Sequence, residues 1–259
     1  MTANDLIIEK KGSILHLILN RPERLNAFSS EMISGILNGL KEARGDEDIR
    51  VIVLSGAGRS FCAGGDVTTM GQAGAIQVYE HIGRLNECIL SMKATEIPII
   101  AAVHGFASGA GFNLALACDL IIAAEDSKFA MSFSQVGLIS DGGGSYFLPR
   151  LIGSHLAKEF FFSGKPVTAR RLYELGVINQ LVPSESLINE TMTLATSIAN
   201  GPGKALGMMK KIIDHSFTAS LDEILEQERI TQTMLVTTAD HQEGVAAFKE
   251  KRKPVFKSK

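Results

Sequence analysis

Three short runs of purely apolar residues, at 51–54, Ile99–Val103 and 120–123, constrain this chain more than any other feature. Each is too short for a helix and has no polar side to offer water, so each reads as a strand buried on both faces. Stretches with helical spacing lie between and around them: Met32, Ile33, Ile36, Leu37 and Leu40, then residues 74–93, then residues 111–117. Buried strands alternating with helices predict an α/β core with parallel pairing. Ahead of it, Ile7-Ile8 and Ile14–Leu19 read as a hairpin around a Lys-Lys-Gly-Ser turn. Ser29 or Ser30 is placed to cap the first helix, and Gly45 to end it. From Thr168 onward the pattern reads as helical throughout, with one long amphipathic segment starting at Leu221, Ile224 and Leu225. Gly201-Pro202-Gly203 is the expected boundary between a core (1–200) and a helical region (201–259). No repeat of fixed period is visible.

The bulk properties narrow the function. A length of 259 residues suits one large domain, or a core with an appendage. A net charge of −2 gives no argument for nucleic acid. Cys62, Cys88 and Cys118 have no paired metal-ligand spacing, and no other motif predicts a metal. An odd cysteine count favours a reducing, cytoplasmic setting. Asp5 and Glu9 interrupt the first apolar stretch, so no signal peptide is expected, and the apolar runs are too short to span a bilayer.

Three glycine-rich turns are the candidate chemistry: Ala63-Gly64-Gly65, Gly109-Ala110-Gly111 and, after Asp141, Gly142-Gly143-Gly144. Turns this bare let a ligand reach backbone N–H groups. The second turn follows a buried strand and opens a helix, whose free N–H groups suit a phosphate or an oxygen gaining charge. Its Gly-x-x-x-Gly-x-Gly spacing also occurs in short-chain dehydrogenases, but it lies mid-chain and no Tyr-x-x-x-Lys pair follows. Ser108 and Ser145 lie among glycines, yet neither has the Gly-x-Ser-x-Gly setting of a serine hydrolase. His104 reads as a satisfied core or turn histidine rather than a catalytic one. Asp141 has two readings: a cap for the following helix, or an acid–base group beside an oxyanion site. Residues 249–259 hold six basic side chains, either a solvated terminus or a clamp for a phosphorylated ligand; Phe248 and Phe256 are expected to pack part of this tail.

Taken together these segments resemble the crotonase (enoyl-CoA hydratase/isomerase) superfamily. The matching stretches are Asn20-Arg21-Pro22-Glu23-Arg24-Leu25-Asn26-Ala27, Phe61-Cys62-Ala63-Gly64-Gly65-Asp66, Gly109-Ala110-Gly111 with Cys118-Asp119, Gly137-Leu138 through Pro149-Arg150-Leu151, and the tail from Glu243-Gly244 to Lys253-Pro254. The resemblance implies a spiral of ββα units with C-terminal helices that form trimers, often paired into hexamers. It implies an acyl-CoA substrate and no cofactor beyond the coenzyme A that the substrate carries. The thioester oxygen would be held by the N–H groups of Gly65 and Ala110. Ala27, Ala63 and Gly65-Asp66-Val67-Thr68 would line the CoA; Arg24 and Lys253 of the tail would meet its phosphates.

The superfamily hosts several reactions on one oxyanion hole. Two glutamates that a hydratase would use correspond here to Asn113 and Phe133, neither of which exchanges protons usefully near neutral pH. Asp141 stands instead where the isomerase branch carries its carboxylate. The surrounding pattern is similar to Δ3,Δ2-enoyl-CoA isomerases and to the epoxyphenylacetyl-CoA isomerases of the phenylacetate pathway. The expected reaction moves a double bond from 3-enoyl-CoA to 2-enoyl-CoA with Asp141 as the proton shuttle. Its alternatives are hydration of 2-enoyl-CoA, with Asp141 activating water, and acyl-CoA binding without catalysis. Phe133, Leu138 and Ile139 are expected to keep Asp141 dry. Residues 70–87 and the C-terminal helices are expected to shape the acyl pocket. Neither acyl specificity nor the choice between fatty-acid and aromatic breakdown is written in the composition.

Overall fold

The computed structural model describes residues 5–66, 71 and 73–259. The chain begins with the hairpin β1 (Leu6–Lys11) and β2 (Ile14–Leu19), followed by α1 (Ser30–Gly45) and β3 (Val51–Gly56). Next come α2 (Ala75–Ala94), β4 (Ile99–Val103), β5 (Phe106–Ser108), α3 (Ala110–Ala117), β6 (Leu120–Ala124) and β7 (Lys128–Ala130). Then follow α4 (Gly144–Ile152), α5 (Ser154–Ser163), β8 (Val167–Thr168), α6 (Ala169–Glu174) and β9 (Gln180–Val182), and the chain ends in α7 (Leu187–Ala199), α8 (Gly203–Ser216), α9 (Leu221–Leu235) and α10 (Ala239–Glu250).

The three apolar runs become the middle of a six-stranded sheet of order β1-β2-β3-β4-β6-β9. Every pairing in it is parallel except the β1–β2 hairpin. Alternate residues take opposite faces, and both faces are covered. Leu15, Leu17, Ile52, Leu54, Ala101 and Val103 pack with Met32, Ile33, Ile36 and Leu40 of α1 and with Leu85 and Met92 of α2. Val51, Val53, Ile100, Ala102 and Ile122 pack instead with Leu187, Ala195 and Ala199 of α7. Each fully buried Leu, Ile or Val contributes roughly 1.5–3 kcal/mol, so losing either cover would melt the sheet.

A second, three-stranded sheet of order β5-β7-β8 stands beside the first. β4 and β6 each hand the chain to it within a few residues, at β5 and β7, before a helix follows. This is the ββα unit of the expected spiral, present although the sequence carries no period. Gly105 makes one such corner at φ +59°, where an added Cβ would stand 2.0 Å from the Arg59 carbonyl.

Several local expectations hold. Ser29 caps α1 by accepting from Met32 N at 3.0 Å, and α1 ends at Gly45. His104 Nε2 bonds the Gly58 carbonyl at 2.9 Å, the satisfied turn histidine expected. The C-terminal third departs from its reading as helix throughout. β9 sits there and pairs with β6, because Leu181 and Val182 find an open sheet edge. The expected single amphipathic segment is two helices, α9 and α10, broken at Thr238, which caps α10 by accepting from His241 N. The tail packs through Phe256, whose carbonyl accepts from Arg50 at 3.1 Å, whereas Phe248 is 86% exposed. Asp240 clasps the tail by accepting from Lys257 N at 2.7 Å and Ser258 N at 2.9 Å.

One buried side chain ties the loops that follow β2 and β3. Asn26 is fully buried and held at φ +55°, a conformation Asn tolerates better than most residues. Its Oδ1 accepts from Arg21 N, and its Nδ2 donates to the carbonyls of Ala57 and Ser60, all at 2.8 Å. Replacing Asn26 by Ala strands one donor and two acceptors in a dry place. Asn26→Ala should lose about 2–4 kcal/mol in urea unfolding, read as a lower midpoint with an unchanged slope.

Candidate active site

The first and second glycine turns meet because Cys62 pairs with Ala107 in a lone parallel bridge. Cys62 N donates to the Phe106 carbonyl at 3.1 Å, and Ser108 N donates to the Cys62 carbonyl at 3.0 Å. The approach leaves no room for side chains. A Cβ on Gly111 would stand 2.2 Å from the Cys62 carbonyl oxygen. One on Gly64, already at φ +88°, would stand 2.5 Å from the Ser108 oxygen and 3.0 Å from Ala110 N. Gly65, next to Gly64, is thereby brought beside the first turn of α3, which Ala110 opens. Among the described residues, no loop or turn carbonyl accepts from the N–H of Gly65 or of Ala110. Backbone donors beside a helix N-terminus are the kind of group that suits an oxygen gaining negative charge.

The third turn reaches the same helix by another route. Asn113, one turn beyond Ala110 on α3, is fully buried. Its Nδ2 donates to the Asp141 carbonyl at 2.6 Å and to Ser140 Oγ at 3.0 Å. Gly142 and Gly144 close on it: a Cβ at Gly144 would stand 2.2 Å from Asn113 Oδ1. Phe133 joins the core, and its ring tip lies 3.6 Å from where a Cβ on Gly109 would be, so it walls the turn.

Asp141 does not cap α4. The N-cap is Gly143, and no side chain bonds there. Asp141 Oδ1 is instead buried without a hydrogen-bond partner among the described residues. Desolvation therefore favours the neutral acid and pushes the carboxyl up to about 6. Leu138 and Ile139, expected to dry it, are 55% and 88% exposed; the short turn after Val136 points them outward. The dry surroundings come from the fold of the loop on α3, with Leu85 and Asn113 under Gly142.

The remaining predicted residues fall into groups. Ala27 is buried, and its carbonyl accepts from Arg21 at 2.7 Å. Ala63 N donates to the Leu25 carbonyl at 2.9 Å, and Asp66 pairs with Arg21 at 3.3 Å. Arg21 therefore braces the loop that holds Ala27 against the one that holds Asp66. Sequence reasoning gave Arg21 no role, although it stands in the Asn20-Arg21-Pro22 stretch that carried the resemblance. Arg24 is exposed at the end of a short 3-10 turn, Pro22–Arg24, in the same region. Val67 and Thr68 lie outside the described residues. Lys253 is exposed just past α10, and no hydrogen bond or ion pair among the described residues links it to the loop around Gly65. Among those residues no metal-binding cluster occurs, and no helix is long and apolar enough to cross a membrane.

Comparison with known proteins places the chain in a family. The family model described as enoyl-CoA hydratase/isomerase matches residues 9–259. The chain belongs to the enoyl-CoA hydratase/isomerase family. A 1,2-epoxyphenylacetyl-CoA isomerase of Escherichia coli K12 is 39% identical, over 96% of this chain and 97% of its own. A 2,3-dehydroadipyl-CoA hydratase of the same organism is 33% identical, over 99% and 100%. The crystal structure of an enoyl-CoA hydratase from Bacillus anthracis superposes with a TM-score of 0.95 at 30% identity, covering 98% of this chain and 100% of that one. Relatives named for both activities match this chain over nearly its whole length, so the family membership makes this chain an enzyme of enoyl-CoA chemistry and leaves the reaction to the site.

The unpaired carboxyl has a cost that can be measured. Its pKa is raised in the folded state, so folding favours the protonated form. That contribution is complete below the unfolded value of about 3.9 and is lost as pH rises through about 6. Asp141→Asn keeps the shape and removes the titration. The variant should be more stable than wild type at pH 8, by about 1–3 kcal/mol, and the gap should close at pH 4. Urea unfolding at the two pH values checks this.

Proposed function

We propose that this enoyl-CoA hydratase/isomerase family member moves a carbon–carbon double bond from the 3-position to the 2-position of an acyl-CoA. The observation that carries the reading is Asp141: a carboxyl whose Oδ1 is buried with no partner among the described residues, pushed up to about 6, on a loop strapped to the helix that Ala110 opens. The ionised carboxylate takes a proton from C2 of 3-enoyl-CoA. The electron pair of that C–H bond moves toward the thioester, whose oxygen becomes an enolate held by the N–H groups of Gly65 and Ala110. The dienolate then takes the same proton at C4, and the double bond settles between C2 and C3. A base with a pKa of about 6 is largely ionised near pH 7.5 yet gains a proton strongly enough to carry it between two carbons. Each N–H aimed at the enolate contributes roughly 10²–10³ in rate.

Arg24, Ala27, Ala63, Asp66, Val67 and Thr68 are proposed to bind the CoA moiety, with Lys253 meeting its phosphates from a neighbouring subunit. No cofactor beyond the substrate's coenzyme A is needed for this chemistry. Residues 201–259 are proposed as the oligomer-forming region of a homotrimer or a hexamer of two trimers. Ile213, Leu221, Leu225 and Met234 there are more than half exposed in the single chain, which supports covered faces. Three buried, unpaired cysteines fit a reducing, cytoplasmic setting.

Hydration of 2-enoyl-CoA is the second reading, favoured by the relatives named hydratases. Asn113 and Phe133 speak against it, because neither supplies a second acid to work with Asp141 on a water. The test is an assay with 3-enoyl-CoA and, separately, with crotonyl-CoA. Wild type should convert the first and give negligible 3-hydroxyacyl product from the second, with kcat rising through an inflection near pH 6. Asp141→Asn should lose roughly 10²–10⁴-fold in isomerisation. Isomerisation by that variant near the wild-type rate would remove Asp141 from the mechanism.

A further inference from the structure

We propose that Asn113 is a positioning residue: it straps the Asp141 loop to the helix turn that supplies the Ala110 N–H and so fixes where the carboxylate stands over the thioester. This rests on the proposed isomerase reading and adds to it the part that sets the distance between base and oxyanion site.

Four observations converge on Asn113. It is the one polar residue of α3, an eight-residue helix whose side chains are otherwise apolar and buried. Its amide nitrogen makes the side-chain hydrogen bonds that join α3 to the Asp141 turn, to the Asp141 carbonyl at 2.6 Å and Ser140 Oγ at 3.0 Å. The glycines of that turn are shaped to it. Gly144 would place a Cβ 2.2 Å from Asn113 Oδ1 and 2.5 Å from Ser140 Oγ, and Gly142, at φ +56°, a Cβ 3.5 Å from Asn113 Cβ. Lastly, Asn113 Oδ1 and Asp141 Oδ1 are both buried without a partner among the described residues. A side chain serving packing alone would do better as Leu, since an orphaned amide oxygen costs stability. An Asn in this place is explained by what its donor holds.

Ala110 and Asn113 stand three residues apart on one helix, so their separation is that of rigid backbone. The hydrogen bond to the Asp141 carbonyl carries this rigidity to the loop. A proton shuttle that serves two carbons of one substrate needs such a link, because a misplacement of about 1 Å can cost 10²-fold. The turn that presses on Asn113 also fills the space into which a longer acid at this position would extend.

The experiment measures wild type, Asn113→Ala, Asn113→Leu and Asp141→Asn side by side with 3-enoyl-CoA, across pH, at a temperature where each is folded. Asn113→Leu keeps the branched outline, with methyl groups in place of the amide, and carries the test should the Ala variant unfold. Both Asn113 variants should lose roughly 10- to 100-fold in kcat, with KM changed less than about twofold. The inflection of kcat against pH should fall from about 6 toward the ordinary carboxylate range, as the loosened carboxyl gains water. A purely structural role would lower the thermal midpoint and leave that inflection in place. A folded Asn113→Leu protein with wild-type kcat and inflection overturns the inference, as does a kcat loss with an unmoved inflection. If Asp141→Asn is inert while Asn113→Leu is unaffected, only the positioning inference fails. If Asp141→Asn is active, the base assignment fails, and the inference built on it falls too.

Discussion

The lone backbone bridge between Cys62 and Ala107 is the contact on which the site depends. It brings the loop after β3 onto the corner between β5 and α3, two segments far apart in sequence. With it in place, Gly64 and Gly111 have no space for side chains, and the N–H groups of Gly65 and Ala110 are brought close together, with no turn carbonyl accepting from either among the described residues. Backbone donors held this way need no reorganisation when charge develops beside them, which is what makes such sites effective. Asn26, which knots the same loops from behind, and Arg21, which braces them with Asp66, belong to the same construction. The glycines mark where the chain passes through itself most tightly, so they are consequences of the site's geometry as much as its cause.

Against this rigid frame the acid is held in a position that does not suit folding. Asp141 loses hydration and rises to about 6 as a result, and its Oδ1 finds no hydrogen bond among the described residues. A protein selected for stability alone would put an amide or an apolar residue there. The same is true, on a smaller scale, of the orphaned Oδ1 of Asn113. Asn113 Oδ1 and Asp141 Oδ1 are two of the buried side-chain atoms without a partner among the described residues, and both belong to the contact between α3 and the Asp141 turn.

Much of this was legible in the amino-acid order. The buried runs at 51–54, Ile99–Val103 and 120–123 declared central parallel strands because nothing else suits short stretches with no polar side. β9 was hidden, since Gln180, Leu181 and Val182 alternate with nothing and become a strand only because β6 offers an open edge. The ββα repeat was invisible for a related reason: the units share a path through space, and their side chains share no period. At the site, the glycine turns pointed to backbone chemistry, but local sequence favoured Asp141 as a helix cap. Only the fold shows that Gly143 takes the cap position and that Asp141 Oδ1 is buried with no partner among the described residues. Leu138 and Ile139 misled, because hydrophobic neighbours in sequence need not face the same way in a tight turn.

The central claim is that one carboxylate, buried by its own loop, stands over a thioester whose oxygen rests on two backbone amides. A crystal structure with an unreactive 3-enoyl-CoA analogue examines it most directly. The account predicts the thioester oxygen within hydrogen-bonding distance, about 2.7–3.1 Å, of both Gly65 N and Ala110 N. It also predicts an Asp141 carboxyl oxygen within about 3–3.5 Å of C2 and close to C4 on the same face of the chain. An analogue bound with its thioester elsewhere, or with Asp141 turned away from those carbons, would contradict it.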